Sequence, residues 1–227
     1  MGSAEFVPLR ICAWMRTPII ADKWLPLDGL LLYQATRADL GRQDLTVPGK
    51  SLLEEPKGGP MHGGHLPLAI IHGESWFYRC SWAQWGPSVD GEDAWVKRFD
   101  TPLAYLVDFK GRRGHIEIGE GRYRAYHMPV YYRSALWVEW HCVGDREAIG
   151  ALLSTALHLG KKSAQGWGRV ARWEIEPEQE DRSIWDGEKL MRGLPADQDR
   201  RSCQNLAYYG IRPPYWDKRN QLMLSVP

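Results

Sequence analysis

The chain has almost no net charge, few cysteines, little phenylalanine and no long apolar run, and each shortage excludes a class of protein. Lysine and arginine total 29 against 28 aspartate and glutamate, for a formal charge of +1 over 227 residues. That excludes a histone-like polycation and an acidic disordered tail, while leaving room for opposed local patches. The four cysteines stand singly at Cys12, Cys80, Cys142 and Cys203. No pair has the spacing of a CxxC metal or redox site, so a reducing cytoplasm is the expected setting. No apolar stretch approaches the roughly 18–20 residues that span a bilayer, so no membrane partner is expected. The opening residues, Met1 to Phe6, lack the basic-then-apolar layout of a signal peptide and read as vector-derived. Four phenylalanines contrast with 12 tryptophans. Tryptophan pairs a large apolar face with one N–H donor, so the surplus suits either a core or flat stacking surfaces.

What is present is a patterned globular chain. From Leu9 the residues alternate, with Leu9, Ile11, Ala13 and Met15 on one face, predicting a half-buried strand that stops at Thr17-Pro18. Leu27, Leu30, Leu31, Ala35 and Ala38 follow helical spacing, with Gly41 just beyond. A loop rich in Gly and Pro, 49–64, leads to a short apolar run, Leu68 to Ile71, expected as a buried strand. Residues 73–134 show no long helical period and read as an insertion, with hairpins at 102–109 and 115–118 around turns at 110–114 and 119–121. Alternation returns at Leu136 to Cys142. Asp145 is placed to cap a helix carrying Ile149, Leu152, Leu153 and Ala156, with Gly160 as its terminator. Ala171, Trp173 and Ile175 mark a last strand.

In order this is β-α-β, an insertion, then β-α-β. The pattern predicts an α+β, ferredoxin-like domain over 7–176 with two helices on one face of an antiparallel sheet. Residues 177–227 are expected as an irregular extension packed on that domain.

The near-neutral total hides opposed regions. Lys97 to Arg133 holds eight basic residues against four acidic ones, whereas Glu174 to Asp199 holds nine acidic against three basic. The basic stretch is interleaved with Tyr105, Tyr123, Tyr126, Tyr131 and Tyr132. That mixture suits a phosphate backbone with stackable bases; it also suits a solvated hairpin whose charges keep an edge soluble.

Several motifs fail on inspection. Gly49-Lys50-Ser51 lacks the first P-loop glycine, whose position holds Asp44, so no phosphate nest forms. Gly119-x-Gly121 is followed by Arg124 where a dinucleotide fingerprint needs its third glycine. His62-Gly63-Gly64-His65 has no neighbouring Cys, Asp or Glu to complete a metal shell. Neither a metal nor a cofactor is expected.

The segment Leu159-Gly160-Lys161-Lys162-Ser163-Ala164-Gln165-Gly166-Trp167-Gly168-Arg169-Val170 runs from the second helix into the last strand. It resembles the glycine-rich loop of the RAMP superfamily of CRISPR proteins. Gly166 and Gly168 lack Cβ, so the backbone there can approach a phosphate, and Lys161, Lys162 and Arg169 add positive charge. Pro8 to Ala13, Thr17 to Ile19, Trp24 to Leu31 and the ending Arg212-Pro213-Pro214-Tyr215-Trp216 are similar to the Cas-five-like subunit of type IV CRISPR effector complexes.

The resemblance implies a non-catalytic subunit that binds the 5′ handle of the guide crRNA and caps the filament of backbone subunits. It also implies a place beside the large subunit and target DNA, with the basic insertion, about 97–133, as a thumb on the guide. The RNA-binding residues expected are Arg16, Lys97, Arg98, Arg112, Arg113, Arg122, Arg124 and Arg133, together with Lys161, Lys162, Ser163, Gln165, Gly166, Trp167, Gly168 and Arg169. Two alternatives stay open. One is a metal-free repeat-RNA endonuclease on the same fold, using His127, His62 or His65 to move a proton. The other is a ferredoxin-like interaction module with no nucleic-acid role.

Overall fold

A computed structural model describes residues 5–40, 66–73, 75–100, 102, 106, 119–120, 123–196, 198–199 and 205–227. Its centre is a four-stranded antiparallel sheet of β1 (Val7–Met15), β4 (Gln84–Trp85), β7 (Trp137–Gly144) and β8 (Val170–Pro177), in the order β4-β7-β1-β8. The alternation on β1 places Leu9, Ile11 and Ala13 inward, fully buried against Val138, Trp140 and Cys142 of β7. Helices α1 (Leu27–Leu40) and α2 (Arg146–Leu153) cover that face through Leu27, Leu31, Ile149 and Leu153. The Asp145 side chain caps α2, accepting from the Glu147 and Ala148 amides at 2.9 and 3.1 Å. None of the helices among the described residues is long and apolar enough to cross a membrane.

Several expectations need correction. The run Leu68 to Ile71 is divided: buried Leu68 bridges Gly144 at the end of β7, while β2 (Ile70–Ile71) pairs with β3 (Phe77–Tyr78) outside the central sheet. The rest of the edge beside β7 is assembled from Cys80, opposite Cys142, and β4. Gly160 does not terminate α2, which ends at Leu153 with Ser154 as its cap. Its positive φ of 77° instead lets the chain pass directly over the Ile20 carbonyl, where a Cβ would collide.

The stretch between β4 and β7 contains a long two-stranded arm. Strands β5 (Ser88–Lys97) and β6 (Tyr126–Ala135) pair antiparallel over ten positions, from Ser88 opposite Ala135 to Lys97 opposite Tyr126. Alternation fails to announce β5 because its sequence, SVDGEDAWVK, is polar on both faces. Partnership with the tyrosine- and valine-bearing β6 forms it. The hairpins expected at 102–109 and 115–118 lie almost wholly outside the described residues, as do His62 and His65.

The segment beyond Pro177 is not irregular. Strands β9 (Trp185–Asp186) and β10 (Lys189–Leu190) form a small hairpin. Strands β11 (Leu194–Pro195), β12 (Leu206–Gly210) and β13 (Gln221–Ser225) form a three-stranded antiparallel sheet. They enclose a second apolar cluster, in which Leu194, Ile211, Leu224 and Val226 pack with Phe77 and Trp82. Short apolar runs at 206–209 and 222–224 mark two of these strands, but nothing local to them writes their pairing or their shared core with Phe77 and Trp82.

A buried ionic knot joins the two clusters. The Arg192 and Asp28 side chains are both 0% exposed, with Arg192 Nη2 4.0 Å from Asp28 Oδ2. The guanidinium donates to the Cys80 carbonyl at 2.9 Å, to the Ile211 carbonyl at 2.6 Å and to the Tyr78 carbonyl. It also lies over the Phe77 ring at 4.7 Å. Carbonyl oxygens thus replace water around a charge that would otherwise be costly to bury.

Candidate nucleic-acid interface

The glycine-rich segment departs from α2 and is tied down before β8 begins. Beyond Gly160, three more of its residues have positive φ: Lys162 (64°), Gly166 (88°) and Gly168 (68°). A short 3-10 turn, Ser163–Gln165, separates the first two. Thr17, just beyond β1, clamps the loop. Its hydroxyl donates to the Gly166 carbonyl at 2.8 Å and accepts from the Arg169 amide at 2.8 Å. The Gly168 amide donates to the Pro18 carbonyl at 2.7 Å, and the Arg16 amide to the Arg169 carbonyl at 2.8 Å.

The two loop glycines, alike in the sequence, differ in role. Gly168 is buried against Leu159, whose carbonyl occupies the place a Cβ would take. Its need for glycine is therefore met within the chain, and it offers no open face to a phosphate. Gly166 is exposed, and a Cβ there would meet nothing within 4 Å. Of the pair, Gly166 alone leaves the backbone open to a ligand.

The arm closes on this loop with one face. Gly91, Trp95 and Tyr132 share that face by strand alternation and register. The Tyr132 ring fills the space above Gly91 and lies 5.2 Å from the Trp167 ring. Lys162 Nζ sits 2.9 Å from the Trp95 ring centre, a cation–π contact. The connection is also made through the backbone. Ile19 exchanges two 2.8 Å hydrogen bonds with Arg133 of β6, and the Lys161 amide donates to the Ile20 carbonyl at 2.7 Å.

The expected RNA-binding residues fall into distinct groups. Arg16, Lys161, Lys162 and Arg169 gather around the loop, with exposed Ser163, Gln165 and Gly166 between them. Trp167 is half-buried against Tyr132, so part of its stacking surface is taken within the protein. Lys161 is paired with Asp22 at 3.0 Å, both side chains well exposed. Arg133 is held by Asp90 through two bonds of 2.6 and 2.9 Å and lies over Trp85 at 4.9 Å. That pairing holds the Asp90 carboxyl below its ordinary range. Lys97, Arg98 and Arg124 sit at the far end of the arm, away from the bridge at Ile19. Arg112, Arg113 and Arg122 lie outside the described residues.

Sequence reasoning missed Thr17 as the clamp and Trp95 and Tyr132 as the seat of the loop. The resemblance did quote Thr17, beside Pro18 and Ile19. A hydroxyl directly after a strand, where backbone groups lose their ladder partners, was the available signal.

Among the described residues no group of three or more His, Cys, Asp or Glu side chains is arranged to hold a metal. The buried thiols are poor ligands and nucleophiles, because burial pushes Cys12 up to about 11 and raises Cys80 and Cys142 as well. The arrangement is therefore one of charge, aromatic rings and open backbone.

Comparison with curated proteins finds no match. The family described as CRISPR type IV associated protein Csf3 matches over residues 88–227, which takes in the whole arm, α2, the glycine loop and β8. With that match covering more than half of its length, the chain belongs to the CRISPR type IV associated protein Csf3 family.

Proposed function

We propose that this chain is the guide-binding, non-catalytic subunit of a type IV CRISPR effector complex, holding the 5′ handle of the crRNA at the end of the backbone filament. Arg16, Lys161, Lys162 and Arg169 would meet phosphates, Gly166 would let the backbone approach closely, and the arm would act as the thumb. The observation that carries the reading is the union of glycine loop and arm through Thr17, Tyr132–Trp167 and Lys162–Trp95. In this reading the loop and the arm, far apart in sequence, face the guide together. Strand order β4-β7-β1-β8 with both helices on one face is the order of the split βαβ plan and supports a ferredoxin-like RAMP domain, with 177–227 packed against it.

In this reading the backbone subunit, the large subunit and target DNA are neighbours within the complex, in a cytoplasmic setting. The acidic stretch Glu174 to Asp199 is kept off the guide. The test is binding of labelled repeat RNA, free and within the assembled complex, across a salt series. Affinity should fall steeply with salt as several phosphate contacts are screened. It should fall further, by about tenfold or more, in the triple variant Lys161→Glu, Lys162→Glu, Arg169→Glu. Unchanged binding by that variant refutes the site. Site-specific cleavage of repeat RNA in EDTA, lost in His127→Ala, refutes the non-catalytic role.

A further inference from the structure

The arm has a second face, and the cleft beside it has no role in the arrangement described so far. Asp90, Tyr131 and Arg133 point to the side opposite Tyr132 and Trp95, since side chains alternate along a strand. Together with Trp85, Ile19, the chain at 21–23 and the neighbouring Gly91 and Tyr132, they line a cleft of about 300 Å³. That is the small end of ligand pockets and the scale of one flat heterocycle rather than a helix or a peptide.

The lining suits a base better than a phosphate. Its charged residues are Asp22, Lys23, Asp90 and Arg133, two of each sign. The Arg133 guanidinium is held by Asp90 and backed by Trp85, and its side chain, 32% exposed, lines the cleft as a planar group suited to stacking. Tyr131, two residues earlier on the same face, is 68% exposed. Opposite them stands Asp22. Its Oδ1 accepts from Lys161, while Oδ2 receives no hydrogen bond among the described residues. Lys161 belongs to the glycine loop, so a strand whose phosphate rests on that loop passes within one residue of the cleft.

We infer that this cleft receives one unstacked nucleobase of a bound single strand and selects a base carrying an exocyclic amino group. This rests on the RNA-binding reading above. The base slots between Tyr131 and Arg133, and its amino group donates to Asp22 Oδ2. Uracil offers only an N–H set between two carbonyls, which a carboxylate repels.

The experiment compares oligocytidylate and oligouridylate of eight nucleotides by fluorescence anisotropy, two weakly stacking pyrimidines that differ only in the C4 substituent and the N3 proton that goes with it. The full chain should bind the cytidine oligomer about tenfold more tightly, the scale of one good base contact. Asp22→Asn should abolish that preference, because an amide also donates to the uracil carbonyl. Tyr131→Ala should weaken both oligomers, with unchanged circular dichroism. Equal affinity of the two oligomers for the unaltered chain, or a preference that persists in Asp22→Asn, overturns the inference. If the loop triple variant still loses RNA in that case, the guide-binding reading stands and only the cleft is refuted. Binding of neither oligomer, with no repeat-RNA binding by the chain free or assembled, refutes both.

Discussion

The Tyr215 hydroxyl donates to Asp28 Oδ1 at 2.6 Å, across 187 positions of sequence. Both residues belong to stretches that carry the family resemblance, one near each end of the chain. They meet at the knot where Arg192 holds the second apolar cluster to the first. Removing the hydroxyl leaves a buried carboxylate one donor short. Tyr215→Phe should therefore lower stability by about 1.5–3 kcal/mol, the range for a hydrogen bond to a charged group. Arg192→Ala should cost more, about 3–5 kcal/mol, because it strands Asp28 without its counter-charge. Urea unfolding followed by far-UV circular dichroism checks both values and their order.

The same knot gives stability a pH dependence of known sign. Burial raises the Asp28 carboxyl above its ordinary value, outweighing the opposing pull of Arg192 and Tyr215. The folded chain therefore holds that proton more tightly than the unfolded chain. The associated stability is complete below the unfolded pKa, about 4, and is lost as pH rises through the folded value. The unfolding free energy of the unaltered chain minus that of Asp28→Asn should decline over that rise. A flat difference would show that Asp28 does not titrate above its unfolded value.

Alanine at the two loop glycines should separate architecture from recognition. Gly166→Ala carries only the left-handed backbone penalty, about 1–2 kcal/mol, since open space surrounds its Cβ. Gly168→Ala adds a collision with the Leu159 carbonyl and should be the more destabilising. Thermal unfolding ranks them. On the guide-binding reading, Gly166→Ala should also weaken RNA binding while the chain stays folded.

The thiols should be silent in the folded state. Cys12, Cys80 and Cys142 are buried, and their raised pKa values leave almost no thiolate at pH 8. In a Cys203→Ser variant, Ellman's reagent should detect no thiol natively and three in guanidinium. Prompt native reaction would indicate that the central sheet opens readily.

Much of the central sheet was legible because burial on one face writes itself as alternation. Leu9, Ile11 and Ala13 on β1, and Val138, Trp140 and Cys142 on β7, are the inward sets that alternation predicts. The Asp145 cap was equally plain, since its partners lie two and three residues away. Elements made by partnership rather than by their own pattern were not legible. Strand β5 is polar on both faces and depends on β6, while the C-terminal sheet completes its core with Phe77 and Trp82 from elsewhere in the chain. Within the site, composition marked the cations, of which Arg16, Lys161 and Arg169 are exposed and Lys162 and Arg133 half-buried. It could not show that Lys161, Lys162 and Arg133 already have internal partners, because Asp22, Trp95 and Asp90 lie 43 or more positions away in sequence.

The pairing that starts at β5 does not stop at β6. It continues through Ile19 to Arg133 and through Ile20 to Lys161, so arm, post-β1 segment and glycine loop form one laterally bonded ribbon. Such a ribbon opens as a unit rather than strand by strand. Amide protons of Arg133, Ile19 and Lys161 should then report a common opening free energy in hydrogen exchange, and a load on the tip of the arm is felt at the loop.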